Sequence, residues 1–77
     1  MGTEVRMPKG SDNMEEGTVL SWKRKAGDAV ARGEVICEIE VEKAVIGVEA
    51  PVTGTLARVI AAEGETVPVG AVIGFIE

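Results

Sequence analysis

Short runs rich in valine and isoleucine alternate with glycine-centred breaks along the whole chain. Within the runs apolar and polar positions tend to alternate, which predicts strands, and no stretch of useful length has helical spacing. Strands are predicted near residues 4–7, 18–23, 35–41, 44–50, 55–60 and 72–76, with shorter ones at 29–30 and 66–67. The breaks carry Lys25-Ala26-Gly27-Asp28, Arg32-Gly33-Glu34, Val52-Thr53-Gly54, Glu63-Gly64-Glu65 and Val69-Gly70-Ala71. Pro8, Pro51 and Pro68 fall where strands should start or stop, since proline has no N–H to give a ladder. The pattern is that of an all-β sandwich or barrel. With no Pro- or Ala-rich linker, one domain over 1–77 is expected, its ordered part at about 4–77.

The pattern also repeats. The segment from Glu16-Gly17-Thr18 to Ile39-Glu40 overlays Thr53-Gly54-Thr55 to Ile76-Glu77 without a gap, at the offset of 37 that carries Gly17 onto Gly54. Gly27/Gly64, Val30/Val67, Gly33/Gly70, Val35/Val72, Ile36/Ile73, Ile39/Ile76 and Glu40/Glu77 all match. Two similar halves imply a pseudo-two-fold fold. Lys43 lies just past the first copy, where the second has run out of chain. The same offset makes Arg6 its expected mate, so the lysine should project from the end opposite both termini.

Around Lys43 the alternation fixes a register. Val35, Cys37, Ile39 and Val41 alternate with Ile36, Glu38, Glu40 and Glu42, and Ala44, Ile46, Val48 and Ala50 continue an apolar face. A hairpin with Glu42-Lys43 as its loop pairs Val41 with Ala44, Ile39 with Ile46 and Cys37 with Val48, all three pairs facing the core. Glu-Lys is poor chemistry for a two-residue loop, which favours Asn-Gly or Asp-Gly, and a type I turn is the expected compromise. A local preference overridden in this way points towards function.

Composition removes alternatives. A chain of 77 residues holds one small core, and a domain of that size buries only about 60% of its unfolded surface. A formal charge of −5 argues against a nucleic-acid face and for docking on basic patches of protein partners. With no histidine and one cysteine, neither a Ser-His nor a Cys-His pair can form, nor a His/Cys zinc site. No metal site is expected: Asp12, Glu15 and Glu16 have the wrong spacing for a calcium loop. Cys37 reads as a buried small hydrophobe in a reducing compartment. No signal peptide, transit segment or membrane span is visible. Lys23-Arg24-Lys25 is too short a basic run for nucleic acid, and Trp22 reads as packing.

Lys43 itself has two readings. It is a solubilising charge on a loop tip, as exposed lysines commonly are, or it is an attachment point that another enzyme acylates. A catalytic base is disfavoured, because a lysine nucleophile needs desolvation or cationic neighbours, and Glu40 and Glu42 supply neither. Without a nucleophile–base pair or metal cluster, no catalytic residue is expected.

Several blocks carry a family resemblance. Val5-Arg6-Met7-Pro8-Lys9, Asp12-Asn13-Met14-Glu15-Glu16-Gly17, Gly27-Asp28, Glu38-Ile39-Glu40-Val41-Glu42-Lys43-Ala44 and Glu49-Ala50-Pro51-Val52-Thr53-Gly54 resemble, in order and spacing, the lipoyl domains of 2-oxoacid dehydrogenase acyltransferases. The resemblance implies a flattened β-barrel of two four-stranded antiparallel sheets related by pseudo-two-fold symmetry. It implies that Lys43 receives lipoic acid in amide linkage, with Glu40, Glu42 and Ala44 recognised by the lipoate-attaching enzyme. It implies a non-catalytic carrier within an acyltransferase chain. The lipoyl-lysine would be reductively acylated by a thiamine-diphosphate decarboxylase, deacylated at the acyltransferase core and reoxidised by a dihydrolipoyl dehydrogenase. The loop holding Gly10, Ser11 and Asp12 would help the decarboxylase recognise its own domain. The Met-Pro-Lys and Met-Glu-Glu-Gly blocks look closest to pyruvate or acetoin systems. The isolated domain is expected to be monomeric, off the membrane and cytoplasmic in a bacterium or archaeon, or in the mitochondrial matrix if cut from a eukaryotic chain.

The chain departs from the pattern in two places. Glu42 replaces the usual aspartate, keeping the charge on a longer stem, and Gly10-Ser11 stands where a bulkier residue followed by glycine is commoner. Biotinyl carriers share this fold, but their lysine normally sits between two methionines, whereas Glu42 and Ala44 flank Lys43. The glycine-cleavage carrier is longer and has helical additions. An unmodified lipoyl-like assembly module has no need of Glu-Lys-Ala at the tip.

Overall fold

A computed structural model describes residues 2–9 and 13–77. It contains eight strands: β1 (Thr3–Arg6), β2 (Glu16–Trp22), β3 (Ala29–Val30), β4 (Val35–Val41), β5 (Ala44–Glu49), β6 (Gly54–Val59), β7 (Thr66–Pro68) and β8 (Val72–Ile76). They form two antiparallel four-stranded sheets, ordered β1-β8-β6-β3 and β5-β4-β2-β7. Each expected strand is present, with ends moved by a residue or two. The sheet begins at Thr3, which pairs with Ile76, one residue earlier than expected.

The duplication holds bond by bond. Val19 faces Ile39 and Trp22 faces Cys37 in β2–β4, as Leu56 faces Ile76 and Val59 faces Gly74 in β6–β8. Ala29 faces Thr55 as Thr66 faces Thr18. Even the turns copy one another: Gly27 donates to the Leu56 carbonyl at 2.7 Å, and Gly64 donates to the Val19 carbonyl at 2.7 Å. Val19, Ile36 and Ile39 and their mates Leu56, Ile73 and Ile76 are essentially solvent-free and form the centre of the core.

One expectation about the symmetry fails. β1 precedes its own half, so its offset is set by pairing with β8 rather than by chain position. Val5 faces Gly74 as Val48 faces Cys37, and Arg6 faces Val72 as Glu49 faces Val35. The offset there is 43, which carries Val5 onto Val48. Arg6 is therefore the mate of Glu49, and the mate of Lys43 falls just before the first residue. The main-chain bonds agree, since Gly33 donates to the Ala50 carbonyl at 2.9 Å and Gly70 to the Met7 carbonyl at 3.0 Å.

A second correction concerns phase. Val35 is 41% exposed while Ile36 is fully buried, the reverse of the simple alternation. The β4–β5 register shifts between Val35 and Cys37, and β1–β8 shifts at the equivalent place. Such a bulge adds one residue to one strand, brings two consecutive side chains inward and strengthens the local twist. The β2–β4 and β6–β8 pairs carry a further matched shift. Matched irregularities curl both sheets in the same way around the core.

Candidate functional site: the lysine hairpin

β4 and β5 pair as the sequence predicts: Val41 with Ala44, Glu40 with Val45, Ile39 with Ile46 and Cys37 with Val48. Glu42 and Lys43 form the two-residue loop between them. Cys37, Ile39, Val41 and Val48 are buried and Ile46 is half-buried, so the hairpin is anchored through its inner face. Ala44 is exposed, contrary to the expected all-inward set. The last pair overhangs the sandwich, and only its Val41 side is covered. Across the same strands Val45, paired with Glu40, is 58% exposed.

The turn is not type I. Glu42 has φ 58°, whereas both central residues of a type I turn have negative φ. Among the described residues the other left-handed positions are all glycine, Gly27, Gly33, Gly64 and Gly70. A two-residue loop must match the right-handed twist of its strands, and positive φ supplies that match. Here twist overrides side-chain preference.

Glu40, Glu42, Lys43 and Ala44 are all exposed and adjacent. Glu40 faces Thr18 across β2–β4, which brings the segment holding Glu15 and Glu16 beside the turn. An open acidic hollow beside the turn is lined by Asn13, Glu15, Glu16, Thr18, Glu40 and Glu42. Nothing in the local sequence joins Glu15 and Glu16 to Glu42, and only the pairing of β2 with β4 does so. Gly10, Ser11 and Asp12 lie outside the described residues. The segment that follows them reaches the turn, since Asn13 lines the hollow and Met14 is buried beneath it.

The ion pairs gather elsewhere. Lys23 bonds Glu38 at 3.2 Å, Arg24 pairs with Glu34 and Arg6 with Glu4. None of the ion pairs among the described residues includes Lys43, Glu40 or Glu42. The described residues contain no group of three or more His, Cys, Asp or Glu arranged to hold a metal ion, and no helix long and apolar enough to cross a membrane. Cys37 is buried beneath the hairpin, and desolvation, with lesser contributions from Glu63 and Glu38, pushes its thiol up to about 11. It is packing, not a nucleophile.

An exposed lysine at the tip of a core-anchored hairpin, in a duplicated eight-strand sandwich, is the arrangement by which the chain can be compared with others. A biotin/lipoyl family model, described as a biotin-requiring enzyme, matches residues 3–76. The chain belongs to that family. Within the family it is a lipoyl-type domain, as its relatives show. The dihydrolipoyllysine-residue succinyltransferase component of the 2-oxoglutarate dehydrogenase complex of Bartonella vinsonii subsp. berkhoffii is 43% identical over 77 residues, covering all of this chain and 19% of that protein. The acetyltransferase component of the mitochondrial pyruvate dehydrogenase complex of Caenorhabditis elegans is 46% identical over 67 residues, covering 86% of this chain and 13% of that protein. The solution structure of the lipoyl domain of the Azotobacter vinelandii 2-oxoglutarate dehydrogenase complex aligns with a TM-score of 0.74 at 33% identity, over 95% of each chain. The lipoyl-type domain thus spans less than a fifth of the length of these two curated relatives. The all-β fold of two four-stranded sheets and the family resemblance stand as the sequence implied, and the biotinyl alternative is not favoured. The relatives include both succinyl- and acetyltransferases, so a leaning towards pyruvate or acetoin systems finds no preference there.

Proposed function

We propose that Lys43 accepts lipoic acid in amide linkage and serves as the swinging arm of a 2-oxoacid dehydrogenase complex, pyruvate-like or acetoin-using. The observation that carries the reading is the position of Lys43, exposed on a two-residue turn whose strands are locked into the core of a lipoyl-type fold. The cofactor supplies redox and acyl-transfer chemistry, and the protein supplies position and partner contacts. Glu40, Glu42 and Ala44, all exposed around the lysine, offer the surface on which a lipoate-attaching enzyme would settle. The segment around Gly10, Ser11 and Asp12 is proposed as the contact read by a thiamine-diphosphate decarboxylase.

The domain itself carries no catalytic residue in this reading. It delivers the arm to the decarboxylase, to an acyltransferase core and to a dihydrolipoyl dehydrogenase. Tethering raises effective concentration at each site without tight binding, and a stiff scaffold confines the motion to the arm. The compartment follows that of the complex, cytoplasmic in a bacterium or archaeon and organellar in a eukaryote.

Co-expression with a lipoate ligase should add a single lipoyl mass to the intact domain, and Lys43→Ala should abolish the addition. A biotin increment, or no increment with a ligase active on a control domain, would overturn the reading. Reductive acylation of the lipoylated domain by pyruvate, branched-chain and 2-oxoglutarate decarboxylases then identifies the acyl group.

A further inference from the structure

The duplication supplies an internal control on the surface. The turns that follow β2 and β6 are built alike: the Lys25 N–H donates to Asp28 Oδ2 at 3.0 Å, and the Ala62 N–H to Glu65 Oε1 at 3.2 Å. The N–H groups of Asp28 and Glu65 donate back to the carbonyls of Lys25 and Ala62, at 3.0 and 3.1 Å. Yet Trp22-Lys23-Arg24-Lys25 in the first copy stands against Val59-Ile60-Ala61-Ala62 in the second. The second turn closes with no charge at these positions, so the fold does not require the cations of the first. Both turns border one open hollow of about 750 Å³. Half-buried Trp22, with Val59 and Ala62, gives it an apolar lining. The indole Nε1 already donates to the Ala61 carbonyl, so the ring offers only apolar surface. Both acids of the hollow are occupied by main chain, Asp28 as above and Glu63 by the Trp22 N–H at 3.0 Å. Lys23 and Arg24 are held by Glu38 and Glu34. Lys25 is exposed, and its ammonium has neither ion pair nor hydrogen bond among the described residues.

We propose that this hollow is a docking site for an extended acidic peptide segment of a partner protein. An aliphatic side chain of the segment packs against Trp22 and Val59, and a flanking carboxylate meets Lys25. Charge complementarity selects the occupant: Lys25 stands unpaired beside two further cations, and the lining next to it is apolar. At physiological salt the screening length is only about 8 Å, so the segment meets these cations and not the net charge of −5. Nucleic acid is disfavoured, because its affinity grows from several phosphate contacts at once and one free cation supplies one. A second copy of the domain would need to bury about 800 Å² on each partner, more than a hollow a few side chains wide can cover. Trp22 faces Cys37, six residues along the chain from Lys43 and roughly 20 Å away at strand rise. A bound segment therefore leaves the lysine free, and the site does not depend on what Lys43 carries.

Trp22 is the only tryptophan of the chain, so its emission reports occupancy directly. The whole chain is titrated with a short synthetic peptide in which leucine is flanked by aspartate and glutamate. Emission should move to shorter wavelength and saturate. Replacing the leucine of the peptide by serine should weaken binding by about tenfold or more, the loss expected for one buried aliphatic side chain. Exchanging its acidic residues for lysine should abolish binding. Lys25→Ala and Lys25→Gln should each weaken binding roughly fivefold, the most that an exposed ion pair contributes. Both should melt with the wild-type chain, since alanine already occupies the mated turn. Lys9→Ala removes the same charge from the hollow between β1 and β5 and should bind as the wild type does. Four results would overturn the proposal: no shift at about 1 mM peptide, equal affinity for the lysine peptide, wild-type affinity in both Lys25 variants, or an equal loss in Lys9→Ala. Emission that shifts with protein concentration alone would show self-association through the hollow and overturn it as well.

Discussion

At the scale of single residues, two side chains under and on the hairpin behave in opposite ways. Cys37 faces Trp22 and Val48 across its two neighbouring strands and has no solvent exposure. Its thiol, at 9.0 when unperturbed, is raised to about 11, first by burial and then by Glu63 and Glu38. Because the folded thiol keeps its proton longer than the unfolded one, Cys37 leaves stability unchanged below about pH 9 and reduces it as pH climbs to about 11. Labelling by a disulfide reagent at pH 8 should therefore be slow in the native domain and immediate in urea. Fast native labelling would show that the hairpin opens readily. Replacing Cys37 by alanine should flatten the alkaline fall in urea midpoint. The sequence reading of Cys37 as a small buried hydrophobe was sound because an apolar alternation on both sides marked it. The reading of the Glu42 turn was not, because residue preference says little about φ when the twist of two anchored strands dictates it.

At the scale of elements, the two halves share a backbone but differ in what surrounds equivalent positions. Gly17 and Gly54 are mates, each at the start of an inner strand. A Cβ on Gly54 would come within 2.5 Å of the Glu77 carbonyl oxygen and 2.9 Å of Ile76 Cγ2. On Gly17 its nearest neighbours would be the side-chain ends of the buried Met7 and Met14, at 3.0 and 3.1 Å. Gly54→Ala should thus cost about 1–3 kcal/mol, because main chain must move, while Gly17→Ala should cost well under ~1 kcal/mol, since methionine rearranges easily. Urea midpoints of the two variants compare them directly, and equal losses would refute the explanation. The same contrast appears at Trp22, whose ring packs over Gly74 and whose Nε1 donates to the Ala61 carbonyl at 2.8 Å. Strand positions were legible from alternation and glycine breaks. The bulges were not, since one extra residue in a strand leaves no mark in an apolar pattern that continues on either side.

At the scale of the whole molecule, the duplication decides where the lysine stands. β5 leaves the turn at Ala44 and runs six residues, about 20 Å at strand rise, to Glu49. A short connection then reaches Gly54, beside the carbonyl of Glu77. Thr3 pairs with Ile76, so the N-terminal strand starts at that same end. Lys43 thus lies far from Thr3 and Glu77 in a body measuring 32 × 20 × 17 Å. A folded protein fused after Glu77 should leave the initial lipoylation rate within about twofold of the free domain, because steric conflict needs proximity rather than connection. A large drop with a long flexible linker would contradict this placement.

By itself the sequence determined the all-β class, the two-fold repeat, the pairing of β4 with β5 and the prominence of Lys43. Each rests on periodicity, and periodicity is a local property that burial on one face imposes on every strand. Tertiary structure decided the rest. It set the offset of β1, because that strand joins its half through β8 and not through the chain, although the spacing shared by Val5/Pro8 and Val48/Pro51 was there to be read. It gathered Glu15 and Glu16 beside Glu40 and Glu42, since only the β2–β4 pairing brings those segments together. It also drove Glu42 into the left-handed region, because a hairpin whose strands are both fixed in a twisted sandwich leaves its two-residue loop no other way to close.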